Sequence, residues 1–410
     1  MKLDYKKTFF IGLGFFTVSL VWGIYNVKTP LYLKALGLPG VAVGSVMTID
    51  NIFAIVFLPI FGALSDRTRT RYGRRMPYLL VGIPLSAIAF LLVPFAQGSL
   101  PFLMITIIAM NFFMSIYRAP TVALMPDVTP RPLRSKANGI INFMGGAGSV
   151  VTFVASGFLL KVNEIYPFIA VSAIMIIVII LMYNLVREPE VVEDEKPAEE
   201  AVSTPESEKG RTMSLIFLLT AIFFWFTGYN AVETFFSTYG EEVLKISASQ
   251  TSFLLAVFSG LFLVFAIPAG IIATRIGRKK VILSGIILLT AVFLSLIFIK
   301  DILPMYAFLA VGGISWSLIN INSYPMVVEM TANKGIGQYT GYYYFFSMLA
   351  AIASPILFGF LKDMLGDGFL FIYASIAMVV AFFFMMLVKH GEANIQPKTA
   401  FEGIEHMETK

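Results

Sequence analysis

The sequence contains no cysteine, and its two histidines, His390 and His406, both lie within the last 21 residues. The absence of cysteine excludes disulfides, thiolate metal sites and cysteine nucleophiles. The sequence also lacks an H-E-x-x-H motif and a G-x-x-x-x-G-K-S/T phosphate-binding loop. Charged residues make up only 13% of the chain, about half of their share in soluble domains. These absences argue against an enzyme, and they lead us to expect no metal site, no organic cofactor and no nucleic-acid partner.

Hydrophobic residues, by contrast, make up 58% of the 410 residues, and apolar runs of about 20 residues, the length that crosses a bilayer, recur from end to end. The first run follows three lysines but is too long for a signal peptide and precedes no small-residue cleavage site, so we expect it to be retained. The breaks between runs predict an all-α membrane protein with twelve transmembrane helices. The predicted spans are 8–33, 42–65, 76–96, 101–126, 138–161, 166–186, 213–240, 250–274, 280–299, 302–328, 337–361 and 368–389.

A strongly charged segment separates the first six predicted spans from the last six. Residues 187–211 hold nine acids, four basic residues and three prolines, without an aromatic residue. Such a composition is typical of a disordered linker. We therefore predict four parts, which are a six-helix bundle at 1–186, a cytoplasmic linker at 187–212, a second six-helix bundle at 213–389 and a cytoplasmic tail at 390–410.

The basic residues are distributed unevenly about the predicted spans. Of the 30 lysines and arginines, 23 fall on the side that also carries both termini. Positively charged loops favour the cytoplasmic side of a membrane. The bias therefore predicts a multi-pass protein of the cell membrane with both termini in the cytoplasm.

Three segments of the first half recur in the second half in the same order. In the most basic of them, "FGALSDRTRTRYGRR" is similar to "AGIIATRIGRKK", and in another Asp127 aligns with Glu329. This order predicts an internal duplication into two pseudo-symmetric six-helix halves, a construction that is known among transporters. The matched segments are 22–30 with 225–234, 61–75 with 269–280, and 125–139 with 327–341.

The twelve spans, the charged central linker and the pattern G-x-x-x-D-R followed by G-R-R after span two resemble the major facilitator superfamily. The long connection "SDRTRTRYGRRMPY", with its Pro77, resembles two groups within it, the glycoside–pentoside–hexuronide:cation symporters and the sucrose-type sugar/proton carriers. The resemblance implies the major facilitator fold and a small-molecule sugar as the substrate. It also implies alternating access, in which the two halves rock around a central site.

Charged and glycine residues at the ends of spans two and four are predicted to form a cytoplasmic gate. Such charges can pair across helices while a carrier is closed on that side and separate when it opens. The alternative is that they only hold the loops in the cytoplasm. The predicted gate residues are Gly62, Asp66, Arg67, Gly73, Arg74, Arg75, Asp127 and Arg134.

Four ionisable residues fall inside predicted spans, where each costs about 2.5–3.5 kcal/mol on insertion scales and normally faces a cavity. They are Lys28, Asp50, Arg118 and Glu233. We interpret them as coupling carboxylates with cationic partners. The alternatives are a structural ion pair for Asp50 and Arg118, and headgroup contacts for Lys28 and Glu233.

The coupling ion is predicted from the same residues. Because no histidine lies in the spans, a proton-driven carrier must bind protons on carboxylates, and Asp50 and Glu233 are the candidates. Sodium would need clustered oxygen ligands, for which Asp50, Asn51 and Thr48 are the best local set. The sodium-coupled sugar symporters carry further acids in spans two and four that this chain lacks, so the resemblance favours a proton.

Aromatic and amide side chains share helix faces in spans one, seven and ten. An aromatic platform beside amides suits a sugar, which has an apolar C–H face and a rim of hydroxyls. Packing between helices is the alternative explanation. The predicted substrate-binding residues are Trp22, Tyr25, Asn26, Asn51, Tyr117, Trp225, Tyr229, Asn230, Trp316 and Asn320.

Together these features predict a secondary active transporter, monomeric in the lipid bilayer, that moves a small glycoside together with a proton. A disaccharide is the first expectation for the substrate. Sodium-coupled sugar symport, and export or lipid transport by a member of the same superfamily, remain alternatives. A membrane sensor that transports nothing is a more remote one.

Overall fold

The computed structural model describes residues 4–129, 134–186, 205–330 and 336–391, and the regular structure of these residues is entirely helical. Twelve of its segments are long and apolar enough to cross a membrane, as predicted. The helices are α1 Tyr5–Ala35, α2 Gly40–Met47, α3 Ile49–Arg67, α4 Met76–Leu92, α5 Leu100–Val128, α6 Arg134–Val162, α7 Tyr166–Leu185, α8 Pro205–Glu242, α9 Ala248–Ile276, α10 Arg278–Phe298, α11 Ile302–Glu329, α12 Ile336–Leu365 and α13 Leu370–Leu387.

The second span is divided into α2 and α3 at Thr48. The Thr48 backbone leaves regular helical geometry at ψ −3°, and its hydroxyl donates to the carbonyl of Ser45 over 2.8 Å. Because α3 starts at the next residue, Asp50 lies in the first turn of a helix, where the helix dipole favours a negative charge. The break at Thr48 therefore places the Asp50 carboxylate at a helix N-terminus within an otherwise apolar span.

The structure differs from the predicted linker at its C-terminal end. Helix α8 begins at Pro205, inside the segment predicted as linker, and runs without interruption into the seventh span. Proline at the first helical position followed by acidic residues is a typical helix start. Residues 187–204 and 392–410, which make up most of the predicted linker and tail, lie outside the described residues.

The two halves pack their helices in the same pairwise order. In the first half α1 packs on α6 and α7, while α5 packs on α3 and α4. In the second half α8 packs on α12 and α13, while α11 packs on α9 and α10. Equivalent glycines allow close helix contacts in both halves, since a Cβ at Gly82 would meet the carbonyl of Phe113, and one at Gly285 would meet that of Ser315. The same six-helix arrangement thus occurs once in each half.

The basic loops after the second and eighth spans also repeat one geometry. Gly73 and Gly277 both adopt a positive φ, 98° and 97°, which places the following basic residues at the start of the next helix. In the first loop Arg74 donates to Asp127 over 2.5 Å. In the second loop Arg278 pairs with Glu329 over 3.1 Å. The aligned residues of the sequence repeat therefore make the same interhelical ion pair.

The interface between the halves follows the same two-fold relation. Helix α1 contacts α8, α6 contacts α9, and α2 contacts α12. We call the face that carries residues 68–75 the loop face and the opposite one the far face. Between described side chains, the ion pairs that join the halves lie at the far face, where Lys34 binds Glu241 over 2.9 Å and also Glu242.

Close backbone packing completes the far-face seal. The Asp363 carboxylate on α12 accepts hydrogen bonds from the N–H groups of Gly40 and Val41, at 2.5 and 2.9 Å, and so caps the N-terminus of α2 from the other half. One turn on, the backbone of Gly44 lies directly against the carbonyl of Pro355. These contacts and the ion pairs of Lys34 hold the two halves together at the far face.

We expect Gly44→Val to open the far face. A side chain there displaces the Pro355 carbonyl, and overpacking of about 1–3 kcal/mol shifts a two-state population by about 5- to 150-fold. Because the chain has no native cysteine, spin labels can be attached at Asn163→Cys and Asp301→Cys, one in each half at the far face. Their distance distribution should gain a longer component. Gly98→Val, at a glycine with open space around it, is the control. An unchanged distribution in Gly44→Val would show that this contact does not hold the face closed.

The two equivalent ion pairs should contribute unequally to stability. Asp127 is 9% exposed and accepts from both Arg74 and Arg75, whereas the Glu329 side chain is 43% exposed. Breaking a buried pair costs about 3–5 kcal/mol and an exposed pair about 0–1 kcal/mol. Asp127→Asn should therefore lower the apparent melting temperature in detergent by several degrees more than Glu329→Gln. Equal shifts would contradict this asymmetry.

Candidate functional site

Two carboxylates from opposite halves lie at the centre of the molecule. Asp50 on α3 accepts a hydrogen bond from the amide of Asn51 over 2.9 Å. Glu233 on α8 accepts one from the amide of Asn26 on α1 over 3.3 Å, so this bond joins the halves. Asp50 lies within electrostatic reach of Glu233. The structure thus brings together four residues that the sequence analysis had selected separately.

Arg118 on α5 provides the positive charge beside this pair. Its guanidinium acts electrostatically on Asp50 and, across the space between the halves, on Tyr344 of α12. Among the described residues, no side chain makes a hydrogen bond or an ion pair of 4.0 Å or less with Arg118. The direct structural ion pair with Asp50, one alternative from the sequence, is therefore not formed in this conformation.

A cavity of about 380 Å³ lies next to Arg118, within the range of small-molecule sites. Its walls come from α1, α5 and α6 of the first half and from α9 of the second. Arg118 is the one charged residue among the described residues that line it, and the other polar groups are neutral. The lining residues are Phe15, Val18, Ser19, Arg118, Thr121, Val122, Asn142, Gly145, Gly146, Ser149 and Phe262.

Aromatic rings flank the two carboxylates in an equivalent way in each half. Trp22 and Tyr25 pack edge to face at 5.3 Å, and Tyr25 lies within electrostatic reach of Asp50. Tyr229 stacks on Trp316 at 4.1 Å with parallel rings, and it lies within electrostatic reach of Glu233. The aligned tyrosines of the sequence repeat thus each stand beside one carboxylate.

Other predicted binding residues lie in the helix packing. Trp225 and Tyr117 are fully buried in the hydrophobic core. The amide of Asn230 donates to the carbonyl of Phe226, and half-buried Asn320 accepts at its backbone carbonyl from Ser323. Both bonds stay within a single helix, α8 for Asn230 and α11 for Asn320, and neither residue lines the cavity.

Lys28 is separated from the central carboxylates by its own ion pair. Its ammonium binds Glu164 over 2.9 Å, at the far-face loop between α6 and α7, and lies 4.8 Å from the ring centre of Tyr32. The pair fixes the end of α1 against that loop. Neither Asp50 nor Glu233 takes part in it.

The predicted gate residues gather at the loop face of the first half. Arg75 is 4% exposed in its side chain and binds both Asp66 and Asp127, and it also donates to Ser65 and to the carbonyl of Gly62. Arg67 is exposed to solvent. The side chain of Arg134 lies outside the described residues. The ion pairs described here connect α3, α4 and α5 within one half, so they tie helices together rather than joining the two halves.

The residues that do join the halves by charge were not selected from the sequence. Lys34, Glu241, Glu242 and Asp363 all belong to the far-face seal. The sequence could have indicated this pairing, because Lys34 lies near the end of the first span, and Glu241 and Glu242 lie at the equivalent end of the seventh span. Among the described residues, no group of three or more His, Cys, Asp or Glu side chains is arranged to hold a metal ion.

Comparisons with known proteins agree with this architecture. The tetracycline resistance protein of class H from Pasteurella multocida is 24% identical over 347 residues, which are 81% of this chain and 83% of that protein. The uncharacterized symporter sll1374 of Synechocystis sp. is 30% identical over 170 residues, 37% of this chain and 30% of its own length. The crystal structure of the nucleoside transporter NupG superposes with a TM-score of 0.71 and 15% identity, over 93% of this chain and 99% of that one.

The family model described as Major Facilitator Superfamily matches residues 11–247 and 241–406, which together span both halves. With twelve membrane-spanning helices in two equivalent bundles around a central cavity, the protein is a multi-pass membrane transporter rather than an enzyme. The chain belongs to the major facilitator superfamily.

Proposed function

We propose that the protein is a secondary active carrier that moves a small glycoside together with a proton by alternating access. The observation that carries the proposal is the position of Glu233, which accepts a hydrogen bond from Asn26 of the other half and lies within electrostatic reach of Asp50, the carboxylate of that half. Like charges repel strongly where water is scarce. A proton on either carboxylate therefore lowers the cost of bringing the halves together at the far face, which links proton binding to the conformational change.

The bond between Asn26 and Glu233 supports the same link. It crosses the interface in the conformation that is sealed at the far face. Opening that face separates α1 from α8 and breaks the bond. The carboxylate that responds to protonation is thus also a contact that distinguishes the two states, as a coupling residue must be.

The aromatic pairs support a sugar as the substrate. Trp22 and Tyr229 are half-buried aromatic rings, and aromatic rings near an amide such as that of Asn26 suit the C–H face and the hydroxyls of a sugar. The cavity of about 380 Å³ has room for a small glycoside. A disaccharide is the substrate that we would test first.

The excess of basic residues supports a cytoplasmic location for the loop face and both termini, in the cell membrane. The described conformation is then the inward-open one of a monomeric carrier. In the outward-open state the loop face closes, and we infer that the exposed charges Asp66 and Arg67 then contact the second half. This assigns the gate role to the loop-face charges in the state opposite to the one described.

An exporter is the second candidate function. The tetracycline resistance protein matches this chain over 81% of its length, and several exposed aromatic residues, including Tyr324 and Tyr344, lie on α11 and α12. Apolar drugs bind surfaces of this kind. Sodium coupling is the alternative for the ion, with oxygens of Asp50, Asn51 and Thr48 as ligands.

The proposal is tested by uptake of labelled sugars into proteoliposomes under an imposed inward proton gradient. The assay is repeated with a sodium gradient and with an ionophore that collapses both. We expect accumulation that only the proton gradient drives. A sodium requirement would overturn the choice of ion, and extrusion of drugs without uptake of any sugar would favour the exporter.

Asp50→Asn should abolish accumulation of the substrate while leaving counterflow measurable, because exchange of bound substrate needs no net proton movement. The amide keeps the size and hydrogen bonding of the carboxylate but cannot take up a proton. Asp301→Asn, at an exposed aspartate of the far-face loop, is the matched control and should transport like the wild type. If Asp50→Asn accumulates substrate normally, Asp50 is structural and Glu233 becomes the coupling residue.

A further inference from the structure

We propose that residues 68–72 bind the headgroup of an anionic phospholipid in the leaflet at the loop face, with the lipid phosphate held by Arg69 and Arg71. This site lies on the outer surface of the first half, apart from the central cavity. It is therefore independent of the sugar and of the proton in the proposed transport.

Residues 68–72 are an insertion that the internal duplication does not explain. In the sequence repeat Gly73 aligns with Gly277, and the arginines that precede the two loops also align. Five residues separate these points in the first half, whereas Ile276 alone separates them in the second half. The second half closes the same connection without the extra residues, so the fold itself does not require them.

Hydrogen bonds fix the conformation of the inserted segment. The hydroxyls of Thr68 and Tyr78, the latter on α4, share a hydrogen bond of 2.8 Å. The hydroxyl of Thr70 donates to the carbonyl of Gly73 over 2.7 Å. One guanidinium nitrogen of Arg69 donates to the carbonyl of Thr68 over 2.9 Å. The backbone that carries the two arginines is thus held in one arrangement before any ligand binds.

The described part of the chain does not neutralise the two inserted arginines. Arg69 and Arg71 are both exposed, and no ion pair joins either of them to a described carboxylate. Arg74 and Arg75, which follow in the same loop, instead bind Asp127. Arginine donors form planar forks that match the oxygens of a phosphate. The insertion therefore offers two cations for a phosphate that comes from outside the described chain.

Tyr72 connects the insertion to the surface of the bundle. Its ring centre lies 5.9 Å from that of Tyr183, near the end of α7, and the two residues are 38% and 44% exposed. The guanidinium of Arg71 lies over the Tyr72 ring, 4.5 Å from its centre, and donates to the Tyr72 hydroxyl. Exposed tyrosines at the ends of spans mark the level of the lipid headgroups. Tyr72 therefore places Arg71 at that level.

Apolar stripes suited to acyl chains lie on the two helices beside the insertion. Helices α4 and α7 pack on each other, whereas the main contacts with the second half come from α1, α2 and α6. Exposed side chains spaced by three or four residues lie on one face of a helix. These faces therefore meet lipid. They carry Val81, Leu85, Ile88 and Leu92 on α4, and Ile176, Ile180 and Tyr183 on α7.

The second half has an apolar surface of the same kind without such an insertion. A cavity of about 270 Å³ lies between α10 and α13, with Ile287 and Phe383 in its walls. At the loop end of α13, Lys279 donates to the carbonyls of Met386 and Val388 over 2.8 and 2.6 Å. This lysine thus compensates the C-terminus of a helix. The second half is therefore the natural control for a site that combines exposed arginines, a tyrosine pair and apolar stripes.

The expected strength of the site follows from its two positive charges. With the loop face in the cytoplasm, as proposed above, the arginines meet the leaflet that carries anionic lipids. Near such a surface each arginine strengthens binding about fivefold. Salt weakens this attraction because the charges are exposed. Phosphatidylglycerol, which has one negative charge on its phosphate, is the probe that we would use.

The test uses the full chain in nanodiscs of phosphatidylcholine, to which phosphatidylglycerol is added in steps. Native mass spectrometry measures the fraction of chains that retain phosphatidylglycerol, and the apparent melting temperature measures its effect on stability. We expect retention of the anionic lipid together with a melting temperature several degrees higher. Both effects should shrink at high salt.

Variants of the insertion locate the effect. Arg69→Gln combined with Arg71→Gln should weaken retention about 30-fold, whereas lysine at both positions should preserve most of it because the charge remains. Arg275→Gln combined with Lys280→Gln, at exposed basic residues of the second half, is the matched control and should bind like the wild type. If the double glutamine variant fails to fold, the single variants are measured, and each should lose about fivefold.

Three outcomes would overturn the proposal. The first is equal retention of phosphatidylglycerol by the wild type and the glutamine variants. The second is the same stabilisation by inorganic phosphate in discs of pure phosphatidylcholine, which would indicate a site for a soluble anion. The third is an equal loss of stability in the variants with and without phosphatidylglycerol, which would show that the arginines act within the chain. None of them affects the proposed transport function, since no transport is measured.

Discussion

The organisation of this protein depends on charged side chains inside the membrane, where the lipid does not solvate them. Asp50, Glu233 and Arg118 lie in membrane-spanning helices and act on one another rather than on water. When one of these residues moves away or takes up a proton, the charge of its neighbour is no longer balanced. An unbalanced charge is costly in a low dielectric. The balance among the three charges therefore depends both on protonation and on the relative position of the two halves, which is why the proposed function assigns the coupling role to these residues.

Around this centre the two halves repeat the same fold and one equivalent ion pair. The charged residues inside the membrane, by contrast, have no charged counterpart in the other half. Arg74 with Asp127 and Arg278 with Glu329 show the same ion pair at equivalent places. The intramembrane charges do not repeat. With the offsets of the sequence repeat, Asp50 corresponds to Phe258 and Arg118 to Asn320. The first half thus carries both Asp50 and Arg118, and the second half contributes Glu233 alone.

The sequence was informative wherever the bilayer imposes a strict demand. Backbone groups in lipid must be satisfied within helices, so twelve apolar runs become twelve helices, and their ends fall within a few residues of the predictions. The start of α8 at Pro205 was the exception, because the polar first turns of that helix resemble linker in composition. The cost of burying charge likewise singled out Asp50, Arg118 and Glu233, which the structure brings near each other.

By itself, then, the sequence determined the membrane location, the helices, the duplication and the charged residues at the centre, because each follows from local composition or from a repeated motif. Tertiary structure alone decided which charges meet across the interface. Lys34 and Glu241 are 207 positions apart and join the halves, while the described ion-pair partners of Arg74 and Arg75, Asp66 and Asp127, belong to the same half as these arginines. It also decided that Trp316 stacks on Tyr229 while Trp225 is buried in the core. Such outcomes depend on how two preformed bundles are turned toward each other, and no local pattern encodes that orientation.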